Sequence, residues 1–187
     1  MNATTVSESR VIPAPVERVP LSRYVVFTSV ALIGLAIDLG TKAWWFARPA
    51  LRAGDIWWLW QGHVGVQLSM NEGALFGIGQ GKVWMFAALS VAAAIAIPVW
   101  LFVFRAARDA WLTFALGCIM AGVLGNLYDR LGLHGESVRA VRDWVLWQAN
   151  DQWRWPNFNI ADSFLVVGAC VLLLHAMWQP AAAEKAK

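Results

Sequence analysis

Two carboxylates, Asp143 and Asp162, are the residues of this sequence best suited to proton chemistry; they lie nineteen positions apart (162 − 143). Asp162 ends the stretch Asn157-Phe158-Asn159-Ile160-Ala161-Asp162 and opens the last long apolar run, while Asp143 sits in Val141-Arg142-Asp143-Trp144-Val145, across a tryptophan-rich connector. A charge at a helix centre within hydrocarbon costs roughly 2.5–3.5 kcal/mol on insertion scales, so an acid retained at the membrane marks a functional site. Two carboxylates within hydrogen-bond reach cannot both ionise cheaply; one holds a proton while the other stays charged. Such a pair can give a proton to one reacting atom and take one from another. Membrane carboxylates also serve proton and ion pathways, so a small transporter or proton-conducting protein is the alternative reading.

The elements that must hold these acids are membrane spans. Of 187 residues, 59% are hydrophobic and only 14% charged, with a mean hydropathy of +0.51. Soluble domains have an apolar share of about 45–50%. Thirteen tryptophans agree with a membrane protein, because indole rings favour the headgroup level. The excess charge of +3 and pI near 9.2 point to juxtamembrane basic residues meeting anionic lipid, more than to nucleic acid. Cys118 and Cys170 lie in apolar runs without Cys-x-x-Cys spacing and read as small core residues. His63, His134 and His175 are isolated, so neither a metal site nor a cofactor is expected.

In chain order, residues 1–23 carry Pro13, Pro15 and Pro20 with no apolar period and read as a mobile tail, not a cleaved signal peptide. The first expected span, 24–46, is long enough for a hydrocarbon core of about 30 Å. Its Asp38 and Lys42 are i,i+4 neighbours, which reads first as a structural ion pair turned away from lipid. In 47–82, Val64, Val66, Leu68 and Met70 alternate with Gly65, Gln67 and Ser69, the period of a half-buried strand. Asn71-Glu72-Gly73-Ala74-Leu75-Phe76-Gly77 follows, with glycines where backbone can approach a partner closely. Further spans are expected over 83–104, 110–128 and 158–178, followed by a short tail over 179–187. The third contains Gly117, Gly122 and Gly125, which permit close helix contact.

Four spans put both termini on one side, and the tight turn with Arg105 and Arg108 favours the cytoplasm for it. The polar residues Asp38, Lys42, Asn126, Asp129, Arg130, Asn159 and Asp162 then converge at the outer face, as one site requires. A transporter should carry polar groups through the whole membrane thickness and often an internal repeat, and neither pattern is visible here. Asp129 is as prominent as the other acids, but its neighbour Arg130 offers a partner, which favours a structural or orienting role.

Asp38 with Lys42, Asn71-Glu72-Gly73-Ala74-Leu75-Phe76, Gly125-Asn126-Leu127-Tyr128-Asp129-Arg130, Val141-Arg142-Asp143-Trp144 and Phe158-Asn159-Ile160-Ala161-Asp162 together resemble lipoprotein signal peptidase, or signal peptidase II, over about residues 25–178. The resemblance implies a mainly α integral membrane fold of four transmembrane helices with a small extracytoplasmic β-cradle and an interfacial helix. It implies an aspartic endopeptidase of the bacterial inner membrane, with Asp143 and Asp162 as the catalytic pair. Its implied partners are membrane lipid and prolipoproteins carrying a diacylglyceryl-modified cysteine, cut just before that cysteine. By position, Asn71, Asn126, Arg130 and Asn159 resemble the polar residues lining the family's cleft and Asp38 and Lys42 match its first motif; with Gly73 and Asp129 they make up the expected substrate-binding or site-supporting set. Leu39, Arg142 and Trp144 depart from the family's usual residues.

Overall fold

The computed structural model describes residues 18–73, 79–150 and 152–178. Most of the expected N-terminal tail, the expected C-terminal tail and Ala74 to Gly77 of the glycine-bearing motif lie outside these residues.

Helix α1 runs over Leu21–Phe46, following Pro20 in extended conformation, where a residue without an N–H leaves no donor unmet. The short helix α2, Pro49–Arg52, follows within a few residues. Strands β1 (Trp57–Trp60) and β2 (Val64–Asn71) form a hairpin, and α3 (Val83–Pro98) returns through the bundle. Pro98 cannot continue the ordinary hydrogen-bond ladder, and the next turn, Val99–Val103, widens to π geometry. Helix α4, Ala110–Arg130, starts at Asp109, whose Oδ1 accepts from the Leu112 N–H at 3.0 Å as an N-cap. Strands β3 (Val141–Asn150) and β4 (Trp153–Phe158) precede α5, Ile160–Trp178.

Four of these segments, Leu21–Phe46, Val83–Val103, Ala110–Arg130 and Ile160–Trp178, are long and apolar enough to cross a membrane. The fold is therefore the expected mainly helical, multi-pass membrane protein with one small sheet. The fourth span begins two residues later than expected, because Phe158 is still paired with Val145 in the sheet. Inside the expected connector 131–157 stand two strands that have no clean two-residue alternation, since their register is broken by bulges.

Helix α4 is the hub. It packs against α1, α3 and α5, and its glycines set how close they come. A Cβ on Gly117 would stand 3.1 Å from the Val30 side chain, and one on Gly122 would run into the Ala161 carbonyl and Leu165. In a bilayer, close packing of this kind replaces the hydrophobic drive that lipid tails cannot supply. Phe27, Ala31, Leu101, Ala107, Leu116 and Met120 fill the bundle's core. Cys118 is buried as expected, whereas Cys170 is exposed on α5: it lies on the helix face turned away from α4.

The sheet is antiparallel in the order β1-β2-β3-β4, and Ser69 of β2 stands opposite Asp143 of β3. It thereby holds a strand bearing one acid over the end of the bundle, where α5 begins with the other.

Candidate functional site

Asp162 owes its place to the way α5 starts. Asn159 is the N-cap: its Oδ1 accepts the Asp162 N–H at 3.0 Å, while Asp162 Oδ2 accepts the Asn159 N–H at 3.1 Å. This is the reciprocal logic of a capping box, with an aspartate at the third helical position. The second oxygen of Asp162 accepts from Asn126 Nδ2 of α4 at 2.8 Å.

Asp143 is brought to the same point by β3. Its Oδ1 accepts from Asn159 Nδ2 at 2.6 Å, and its Oδ2 accepts from Asn71 Nδ2, at the end of β2, at 3.1 Å. Asn159 therefore touches both acids. Asp143 is 2% exposed, while Asp162 is half-buried. Burial raises the Asp143 carboxyl to about 7, and the negative charge of Asp162 adds to the rise. The hydrogen bonds from Asn71 and Asn159 and the charge of Lys42 oppose it without cancelling it.

Behind the acids lies a cluster of four charges. Lys42 Nζ is wholly buried, 2.8 Å from Asp38 Oδ2, 3.0 Å from Asp129 Oδ2 and 3.1 Å from Asn126 Oδ1. The approach to Asp38 Oδ2 is an ion pair off the hydrogen-bond direction, and the other Asp38 oxygen accepts the Ala161 N–H at 2.9 Å. Gly125 passes against Asp38 so closely that a Cβ there would strike its carboxylate. Asp129 is held from its other side by Arg142, whose Nε and terminal nitrogen donate at 3.0 and 2.8 Å and whose backbone N–H donates at 2.9 Å. Two acids and two bases balance, which is what lets charges sit in a dry interior.

The expected ion pair of Asp38 with Lys42 is present. The expected partner of Asp129 is not: Asp129 pairs with Lys42 and Arg142, and Arg130 points elsewhere, donating to the Gly73 carbonyl at 3.3 Å with its guanidinium 5.4 Å from the Phe86 ring centroid. Gly73 in turn donates its N–H to Asn71 Oδ1 at 3.0 Å, so Arg130 and Gly73 form a rim beside Asn71. All ten sequence-derived site residues lie in this assembly. Arg142 was noted only as a departure, and Gln80, 3.4 Å from Asn71 Oδ1, carried no signal at all. For Arg142 the available clue was its position: an arginine in an apolar context beside an acid needs a buried counter-charge.

A family model described as signal peptidase (SPase) II matches residues 30–178. The chain is 47% identical over 191 aligned positions to the lipoprotein signal peptidase of Rhodopirellula baltica, covering 94% of this chain and 85% of that one. It is 33% identical to the lipoprotein signal peptidase of Rhodococcus jostii, over 86% of this chain and 77% of the relative. A solved bacterial membrane enzyme superposes with a TM-score of 0.69 at 23% identity, over 86% of this chain and 93% of that one, and so shares the fold.

Proposed function

The chain belongs to the signal peptidase II family and is a protease, and from that premise we propose that it removes signal peptides from bacterial prolipoproteins, cutting before a diacylglyceryl-modified cysteine. Asp143 and Asp162 are the catalytic pair in this reading. The observation that carries it is Asn159, which binds Asp143 through its side chain at 2.6 Å and Asp162 through its backbone at 3.1 Å.

The chemistry follows from the unequal surroundings of the two acids. Asp143, its carboxyl raised to about 7, keeps its proton near neutral pH and donates it to the scissile carbonyl oxygen. Asp162, half-buried at the first turn of α5, takes a proton from the water that attacks the carbonyl carbon. As the tetrahedral intermediate collapses and the C–N bond breaks, the Asp162 proton passes to the leaving nitrogen and Asp143 recovers its own. Arg130 and Asn71, at the rim, border the peptide, and Asn126 orients Asp162. The site lies at the outer face of the cytoplasmic (inner) membrane with both termini inside, and the enzyme works as a monomer with its substrate's acyl chains left in the bilayer.

The test is cleavage of a diacylglyceryl-modified prolipoprotein in detergent, followed by gel shift. Asp143→Asn and Asp162→Asn are expected to abolish cleavage with the fold intact, and Asp129→Asn to reduce it. Wild-type cleavage rates in either of the first two variants would show the pair to be wrongly assigned.

A further inference from the structure

A recess of about 390 Å³ opens between the end of α1, α2 and β1, lined by Trp45, Arg48, Leu51, Asp55, Ile56 and Trp57. It lies apart from the carboxylates, and the reading above gives it no task. Its position is fixed by α1: Phe46 ends a membrane span, so Arg48 stands within the first turn past hydrocarbon, at headgroup level. Trp45 continues the aromatic surface into the sheet, its ring 5.6 Å from that of Trp57 and 5.7 Å from that of Trp144.

The recess holds two opposite charges that do not pair. Arg48 is exposed, with its guanidinium 4.5 Å from the Trp44 ring centroid and 5.9 Å from that of Trp45. Asp55 is exposed as well and makes no ion pair with Arg48 or with any other described residue. A cation set on indole faces has its N–H donors free for a phosphate, and a neighbouring carboxylate with aromatic walls suits an ammonium group.

We propose that this recess is a binding site for the headgroup of a zwitterionic, amine-bearing phospholipid, with Arg48 on the phosphate, Asp55 and the ring faces of Trp45 and Trp57 on the ammonium, and the acyl chains running down α1. Trp45, in the recess wall, packs on Trp144, which directly follows Asp143 on β3, so an occupied recess bears on that strand through Trp45. The substrate's diacylglyceryl group has no phosphate or amine, which separates this site from the peptidase cleft.

The test uses the full-length protein in detergent, titrated with phosphatidylethanolamine, phosphatidylglycerol or inorganic phosphate and read by native mass spectrometry, without reference to cleavage. Phosphatidylethanolamine is expected to bind best. Arg48→Gln should weaken both lipids about tenfold, as loss of a charge-assisted contact does. Asp55→Asn should remove the preference for phosphatidylethanolamine over phosphatidylglycerol and leave phosphatidylglycerol binding unchanged. Equal lipid retention by wild type and both variants would overturn the proposal. So would inorganic phosphate binding as tightly as the lipids, which would make the recess a plain anion site.

Discussion

Helices α3 and α4 look alike by hydropathy and lie side by side, yet they are used in opposite ways. In its most apolar window α4 is 56% buried, and the span Val83–Val103 that α3 opens only 11%. Helix α4 brings glycines to its neighbours and ends in Asn126, Asp129 and Arg130, whereas the exposed Leu89 and Ile95 of α3 face outward. Hydropathy marks both as spans; small residues and polar residues decide which one becomes the hub.

The sharpest way to break this contrast is to unbalance the charges that α4 shares. Lys42→Met leaves Asp38 and Asp129 facing each other, and removal of one partner from a buried ionic cluster costs about 3–5 kcal/mol. Thermal unfolding in detergent should register most of that loss, with cleavage abolished. Next comes pH. The unfolded chain loses the Asp143 proton near 3.8, but the folded site keeps it to about 7, so folded stability falls as pH rises through that window. The shift corresponds to at most about 4 kcal/mol. Asp143→Asn should therefore gain stability relative to wild type between pH 4 and 8, measured by melting at several pH values; an unchanged difference would mean that Asp143 is not held protonated. For cleavage the same group gives a rate that declines above about pH 7 as the donor ionises.

A smaller effect is expected at the helix contact itself. Gly122→Ala places a methyl against the Ala161 carbonyl, a backbone atom that cannot step aside, and overpacking of this kind costs typically 1–3 kcal/mol. Because Ala161 lies within the first turn of α5, cleavage should drop together with the melting temperature. The smallest effect belongs to α3: Ile95→Ala, at an outward position, should change stability by less than about 0.5 kcal/mol and leave cleavage alone. A large loss there would mean that α3 is covered by something beyond this chain.

The spans, the α1 ion pair and the convergence of polar residues at one end were legible because a bilayer makes every charge expensive and therefore conspicuous. The first hairpin was half legible: Val64 to Met70 alternate, but Trp57-Trp58-Leu59-Trp60 is apolar at every position and has no two-residue period to read. Strands β3 and β4 were visible only through family resemblance. Arg142 and Asp143 are both buried although they are adjacent and point to opposite faces, one face covered by the α4 end and the other by the site, so burial leaves no period to read. The partner of Asp129 was misjudged for a related reason. Sequence proximity offered Arg130, whereas Arg142 arrives from twelve positions farther on (142 − 130) because β3 folds back over the end of α4.

The cap at Asn159 also sets an order of assembly. The helices α1 and α4 bring Lys42, Asn126 and Asp129 together first, and β3 delivers Asp143, yet Asp143 has neither Asn159 nor Asp162 beside it until the first turn of α5 has formed. Helix α5 follows all the other described elements in the chain, so Asp162 is the last of the ten site residues to be made. With Asp143 and Asp162 as the proposed pair, cleavage activity would wait for α5 to take its place against α4.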